Sequence, residues 1–202
     1  MALIEELGSG FADKVRSAQS TFRAVMDAMA RPGTTHRIEA WLDAPPPLTA
    51  AAAAIALTLF DHDTTIWLDE TLAASSHIAR WLRFHTSAPI TREARFATYA
   101  MIGDPEALPD LETFALGTDE YPDRSTTLIL QLETLAAGPE LQLTGPGIKD
   151  SEILRATGLP ADLVERLARN QKLFPRGVDL ILVAGDGVAA LPRTVRVAGM
   201  EG

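Results

Sequence analysis

The sequence predicts a single three-layer α/β domain whose β-sheet is mixed. Apolar runs rich in β-branched residues alternate with segments of helical periodicity, which is typical of strands buried on both faces and covered by helices. Residues 178–184 form the clearest such run, and Gly185-Asp186-Gly187 then favours a tight turn into a second apolar strand that reaches residue 197. This hairpin adds an antiparallel pair to an otherwise parallel sheet, so a mixed sheet is expected.

The first helix is predicted over residues 11–30, where apolar residues recur at spacings of three and four. The side chains predicted to be buried on this stripe are Val15, Ala18, Phe22, Val25, Met26 and Met29. Another face of the same helix carries residues four apart, which form either a solvated face or a partner-binding face: Gln19, Arg23, Asp27 and Arg31. Pro32-Gly33 ends this helix.

The remaining elements follow from the same two periodicities and from turn residues. Helices are predicted at residues 48–59, 76–85, 105–114 and 160–170, the second of them with Ile78, Trp81 and Leu82 buried. Strands are predicted at residues 34–41, 64–68, 96–102, 126–132 and 141–144. No repeat or long linker divides the chain, so we expect one domain over residues 11–197 with flexible tails at 1–10 and 198–202.

Composition restricts the classes of function. The net charge of −9 is unfavourable for binding nucleic acid, which needs a basic surface to displace counterions. The chain has no cysteine, so thiolate-ligated metals, iron–sulfur clusters and cysteine nucleophiles are not expected. No apolar run approaches the roughly 20 residues of a membrane helix, and the N-terminal residues lack a signal-peptide pattern, so a cytoplasmic protein is expected.

Two clusters of chemistry-bearing residues are weak candidates for a metal or cofactor site. Asp61-His62-Asp63 carries metal-ligand types, but consecutive residues point in different directions, and a polar turn is the preferred interpretation. A pyridoxal phosphate enzyme would need a lysine in an apolar pocket, and Lys149, beside Asp150 in a predicted exposed loop, is the only candidate. We therefore expect neither a metal nor a cofactor.

A site for a phosphorylated ligand is the alternative that the residues leave open. Thr144, Gly145 and Gly147 would offer hydroxyl and backbone donors at the end of a strand. Arg176 and Arg193 would supply guanidinium groups for phosphate, and Asp179 would act as a base or orient an arginine. A structural turn and a structural aspartate are the competing interpretations.

A set of segments occurs in a fixed order from about residue 10 to residue 197, and one of them is the motif Leu143-Thr144-Gly145-Pro146-Gly147-Ile148. The other segments are residues 19–23, 28–33, 57–59, 63–64, 83–86, 127–131, 174–182 and 191–194. Together, in this order, they resemble the PhnH family of the carbon–phosphorus lyase system of bacterial phosphonate breakdown.

This resemblance implies a cytoplasmic subunit of a multi-protein core complex, with sister subunits lettered G, I and J. It implies a fold similar to the large domain of pyridoxal-phosphate-dependent transferases, without bound pyridoxal phosphate, and self-association as a homodimer in isolation. The implied process joins an alkylphosphonate to the ribose of a nucleoside triphosphate with displacement of the base, giving ribose 1-methylphosphonate 5-triphosphate when the substrate is methylphosphonate. Another subunit then cleaves the carbon–phosphorus bond by radical chemistry. A non-catalytic supporting role is expected for this chain.

Overall fold

The protein combines a mixed seven-stranded sheet with a smaller three-stranded antiparallel sheet. The computed structural model describes residues 8–199. The strands are β1 (His36–Arg37), β2 (Ile66–Leu68), β3 (Ile90–Thr91), β4 (Tyr99–Ile102), β5 (Thr127–Gln131), β6 (Glu140–Thr144), β7 (Glu152–Arg155), β8 (Asp179–Ala184), β9 (Gly187–Leu191) and β10 (Arg196–Gly199). The α-helices are α1 (Lys14–Ala30), α2 (Ala50–Leu59), α3 (Glu70–Ala73), α4 (Ser76–Thr86) and α5 (Leu163–Lys172).

The large sheet has the strand order β1-β9-β8-β5-β4-β2-β3. Its five strands from β3 to β8 are parallel, whereas β9 and β1 are antiparallel to their neighbours. The predicted mixed sheet is therefore confirmed. The predicted second arm of the hairpin is too long: β9 ends at Leu191 because Pro192 has no N–H to donate, and residues 196–199 pair with β6 in the small sheet instead.

Alternate residues of the central strands face two different hydrophobic cores. Met101, Ile129 and Ile181 pack with α1, α2 and α4 on one face of the sheet. Their strand neighbours, including Leu128 and Leu180, pack with α5 and the small sheet on the other face. This is the period-two pattern of strands buried on both sides, and the second outer layer is part helix and part sheet.

α1 begins at Asp13, whose side chain accepts a hydrogen bond from the backbone N–H of Arg16. Its predicted buried stripe is only partly correct. Val25 is buried, but Val15, Phe22 and Met26 are exposed, and small residues form the rest of the buried face: Thr21, Ala24 and Ala28. These small side chains permit close contact with α2, whose residues 51–56 are all buried.

Other predicted elements differ at their ends or in type. The acidic helix expected at residues 105–114 is two short 3-10 turns, Pro105–Ala107 and Leu111–Thr113, because Pro109 interrupts any longer helix. β7 was not predicted, since only Leu154 of its four side chains is buried. The helix at residues 76–85 is confirmed, with its three predicted core residues inside. Of the segments predicted to be tails, residues 1–7 and 200–202 lie outside the described residues, while β10 includes Ala198 and Gly199.

The described N-terminal residues are held against α4 and the loop after β1. Ser9 donates from its hydroxyl to a carboxylate oxygen of Asp43 at 2.7 Å, and its carbonyl accepts from the Asp43 N–H. His85 Nε2 lies 3.2 Å from the carbonyl oxygen of Gly8, and the His85 ring packs on Trp81 with centroids 4.5 Å apart. His85 thus fastens the start of the described chain to the core.

This contact predicts a pH-dependent stability. Burial lowers the pKa of His85 below 6.5, the Gly8 carbonyl partly opposes this, and the positive charge of Lys14 adds to the lowering. The unfolded chain therefore takes up the proton at higher pH than the folded chain. We expect the stability contribution to be complete above about pH 6.5 and to decrease as the pH falls below that value.

Urea denaturation between pH 7.5 and 5 measures this effect as the difference between the wild type and His85→Gln, a side chain that stays neutral throughout. The variant should lose less stability than the wild type over this range. Parallel curves for the two proteins would contradict the assignment.

Candidate functional site

Arg193 and Asp179 form a partly buried ion pair at the amino end of β8. Their side chains are only 13% and 14% exposed, and Arg193 Nη2 contacts Asp179 Oδ2 directly. Arg193 Nε also donates to the Asp179 carboxylate, at 3.1 and 3.2 Å, and the backbone N–H of Arg193 donates to Asp179 Oδ1 at 2.7 Å. The structure therefore brings together two of the six predicted ligand-binding residues.

The rest of the Arg193 guanidinium binds two loops. Nη1 donates to the carbonyl oxygens of Pro122 at 2.8 Å and Pro175 at 3.3 Å, and Nη2 donates to Ser125 Oγ at 2.5 Å. Each of its five N–H donors thus has an acceptor within the protein. The guanidinium therefore joins the loops before β5 and β8 to the sheet.

Arg176 lies outside this cluster. Its Nε is 3.2 Å from Asp119 Oδ1 in an exposed ion pair. Binding of one ligand by both arginines stays a prediction.

The glycine turn after β6 packs against the main chain. Thr144 is paired with Arg196 of β10, and a Cβ at Gly145 would lie 3.1 Å from the carbonyl oxygen of Thr194. Gly147 has a positive φ of 84°, and a Cβ there would collide with the carbonyl oxygen of Ala30, at the end of α1. Glycine is thus required for the close approach of turn and helix. A role in ligand binding for the six predicted residues (Thr144, Gly145, Gly147, Arg176, Asp179 and Arg193) stays a prediction.

The crevice where an open α/β sheet usually binds its ligand holds a carboxylate of the protein itself. Such sites lie beyond the carboxyl ends of two neighbouring parallel strands whose following connections run to opposite sides of the sheet. Here those strands are β2, which is followed by β3 on one side, and β4, which is followed by β5 on the other. Asp69 follows β2, is buried, and accepts from the N–H groups of Gly103 and Asp104 at 2.8 Å each. Its other oxygen accepts from the N–H of Leu72 at the start of α3.

A shallow cavity of about 320 Å³ lies beside this point, beyond the ends of β4 and β5. Its side chains include Asp104, Glu106 and Glu133, so the wall is acidic. Gln131 holds this edge in place: its Oε1 accepts from the N–H of Thr49 at 2.7 Å, which fixes the start of α2 to the end of β5. An acidic wall repels phosphate groups.

Three further features of the structure bear on the predictions about metals, membranes and pyridoxal phosphate. Among residues 8–199, no group of three or more histidine, aspartate or glutamate side chains is placed to hold a metal ion. No helix within the same residues has the length and apolar character needed to span a bilayer. Lys149 is exposed in the turn after β6.

The solvent face of α1 is the feature that periodicity alone misassigned. Val15, Phe22 and Met26 lie on one stripe of this helix and are 69%, 50% and 50% exposed. Phe22 and Met26 line a groove of about 670 Å³, together with Ala18, Thr58 of α2 and the polar side chains of Gln19 and Arg23. The apolar spacing was visible in the sequence, but nothing in it shows that other parts of the domain leave this face uncovered.

Comparisons with known proteins agree over nearly the whole chain. The family model described as "Bacterial phosphonate metabolism protein (PhnH)" matches residues 9–198. The chain is 45% identical over 187 residues to the alpha-D-ribose 1-methylphosphonate 5-triphosphate synthase subunit PhnH of Rhizobium meliloti (strain 1021), with 93% of each chain covered. It is 31% identical over 179 residues to the putative C-P lyase subunit protein HtxG of Stutzerimonas stutzeri, covering 89% of this chain and 85% of that protein.

Proposed function

Because the chain belongs to the PhnH family of bacterial phosphonate metabolism proteins, we propose that it is a subunit of a carbon–phosphorus lyase complex. The observation that carries this proposal is the 45% identity, over 93% of both chains, with a protein named as a subunit of ribose 1-methylphosphonate 5-triphosphate synthase. In this role the chain supports the joining of an alkylphosphonate to the ribose of a nucleoside triphosphate, with loss of the base. Its partners are the sister subunits G, I and J.

The described contacts support a structural contribution to that complex. The guanidinium of Arg193 is saturated by internal acceptors, and at the crevice between β2 and β4 the carboxylate of Asp69 already binds the N–H groups of Gly103 and Asp104. By contrast, Phe22 and Met26 of α1 are half exposed, and exposed apolar patches are typical of surfaces that bind other proteins. We therefore propose that interfaces carry its function and that the reacting groups belong to other subunits.

Co-expression of the tagged chain with the three sister subunits tests the proposal. We expect affinity capture to recover one assembly of fixed stoichiometry, measured by native mass spectrometry. That assembly should release free base from a nucleoside triphosphate only when methylphosphonate is supplied, and omitting this chain should reduce the rate. Recovery of the chain without its sisters would contradict the subunit assignment.

We also propose that the isolated chain forms a homodimer, since two-fold dimers are the commonest soluble assemblies. Light scattering at micromolar concentration should give twice the 21.7 kDa mass of one chain. A mass of one chain would contradict this part of the proposal without affecting the subunit assignment.

A further inference from the structure

We infer that the exposed face of α1 docks on another protein subunit whose contact surface is an apolar ridge bordered by carboxylates. This inference rests on the proposed function, because it assigns a surface and a partner chemistry to the same assembly. The α1 face is defined here as Val15, Ala18, Gln19, Phe22, Arg23 and Met26.

The α1 face has a shape suited to receiving side chains. Its three large apolar residues are spaced seven and four residues apart, so they share one side of the helix, with Phe22 about two turns after Val15 and Met26 about one turn after Phe22. Between them and α2, the small side chains of Ala18 and Thr58 leave the groove described above. A partner helix or loop could therefore insert apolar side chains beside Phe22, which would remove its half-exposed ring from water.

Its composition is that of an interface centre. Aromatic residues, methionine and arginine are enriched in the buried parts of protein interfaces, whereas lysine and the acidic residues are depleted there. Phe22, Arg23 and Met26 supply these types within a single helical turn. Three of the large apolar side chains exposed in the described part of the chain lie on this one stripe.

Charge distinguishes the partner from a second copy of this chain. Residues 13–31 contain four basic side chains (Lys14, Arg16, Arg23 and Arg31) and two acidic ones (Asp13 and Asp27), a local charge of +2 in a chain of −9. Asp27 already binds Arg31 at 2.5 Å, while Arg23 has no ion pair within 4.0 Å among the described residues. If two copies of the chain met through their α1 faces, two helices of charge +2 would repel each other. Carboxylates at the border of a partner's apolar ridge would instead pair with Arg23.

The fold itself does not depend on the residues that carry this inference. The helix is anchored by a different side, through Thr21, Ala24, Val25 and Ala28, so a polar residue at position 22 should leave the domain folded. Variants of the α1 face therefore report on binding rather than on stability. Urea denaturation of each variant verifies this.

The wild type, Phe22→Glu and Phe96→Glu are each co-expressed with the sister subunits to measure assembly. Each chain is also purified alone, and its affinity for the assembly of the remaining subunits is measured. Phe96 is the matched control, an aromatic residue 58% exposed on the loop before β4. Phe22→Glu should weaken binding about 30-fold or more, as at an interface hot spot, and Phe96→Glu should not. Arg23→Glu should weaken it about tenfold at low salt, whereas the same change at Arg80, an exposed arginine of α4, should not.

The outcomes separate this inference from the function on which it rests. If the wild type assembles and Phe22→Glu assembles equally well, the inference is wrong and the subunit assignment stands. If Phe22→Glu abolishes only self-association of the isolated chain, the face belongs to a second copy and the inference is again wrong. If the wild type does not join its sister subunits at all, both fail. Should the glutamate impair folding, Phe22→Ser with Arg23→Glu gives the same comparison.

Discussion

Replacing Arg193 with alanine is expected to lower the free energy of unfolding by about 3–5 kcal/mol, the usual cost of removing one partner from a buried ion pair. The substitution removes the only cation that, among the described residues, pairs with Asp179, whose side chain is 14% exposed in the intact protein. It also removes the donors to Pro122, Pro175 and Ser125. Chemical denaturation monitored by circular dichroism measures the effect. For a chain of this length it corresponds to a fall in Tm of roughly 10 °C.

A matched control is available in another arginine–aspartate pair. Arg37 and Asp186 are 2.6 Å apart, but their side chains are 74% and 61% exposed. Arg37→Ala should therefore cost less than about 1 kcal/mol. Arg193→Lys should fall between the two alanine variants, because lysine keeps the charge but cannot reach four acceptor residues with a planar fork. Equal losses for Arg193→Ala and Arg37→Ala would show that the buried cluster is not a stabilising centre.

Gly147→Ala is expected to destabilise the protein by about 2–4 kcal/mol, through a strained left-handed backbone and a steric collision. Gly147 has a φ of 84°, and the new methyl group would meet the carbonyl oxygen of Ala30, so the turn after β6 must move away from α1. Thermal unfolding and urea titration both report the loss.

Gly185→Ala is the control for this glycine. Gly185 also has a positive φ, of 56°, but nothing lies within 4 Å of a Cβ placed there. Its substitution should cost only about 1–2 kcal/mol, from backbone strain alone. A Gly147→Ala protein as stable as Gly185→Ala would show that the turn does not pack on the helix. In that case the earlier interpretation of this turn as an anion site would gain support.

The large sheet could be predicted because its signal is local. The run from Leu180 to Val183 is apolar at every position, which a two-sided strand requires, and Gly185 and Gly187 mark the turn that follows. The strand β10 could not be separated from β9 on the same basis. Pro192 marks where β9 must end, but no local sequence pattern predicts that the next strand, β10, pairs with β6 in the small sheet.

The surface of α1 shows a different limit. Helical periodicity identifies which residues share a face, but a neighbouring element decides which face is covered. Here α1 packs on the alanine-rich α2 and on β9 through small buried residues such as Ala24, while the larger side chains of Phe22 and Met26 are half exposed. The predicted stripe is therefore only partly correct: Val25 is buried and Ala18 and Met29 pack against the core, whereas Val15, Phe22 and Met26 are exposed.

The contacts of Arg193 were also beyond local reasoning. The sequence made Arg193 a candidate for binding phosphate, but sequence spacing could not show its acceptors within the protein. These acceptors, at Pro122 and Ser125, are 71 and 68 residues away along the chain. Only the folded arrangement of β5 and β8 as neighbours brings them within reach of the guanidinium.

The position of Asp69 has a consequence for how this domain could have acquired or lost a ligand. Its carboxylate is a tethered competitor: any free anion seeking the N–H groups of Gly103 and Asp104 must displace a group that is covalently held at the same place. Because the Asp69 carboxylate is part of the chain, its local concentration at these N–H groups is high and does not change on dilution. A free anion would have to reach a concentration high enough to displace it. Evolution of an anion site in this crevice would therefore require the loss of Asp69 before any gain in affinity.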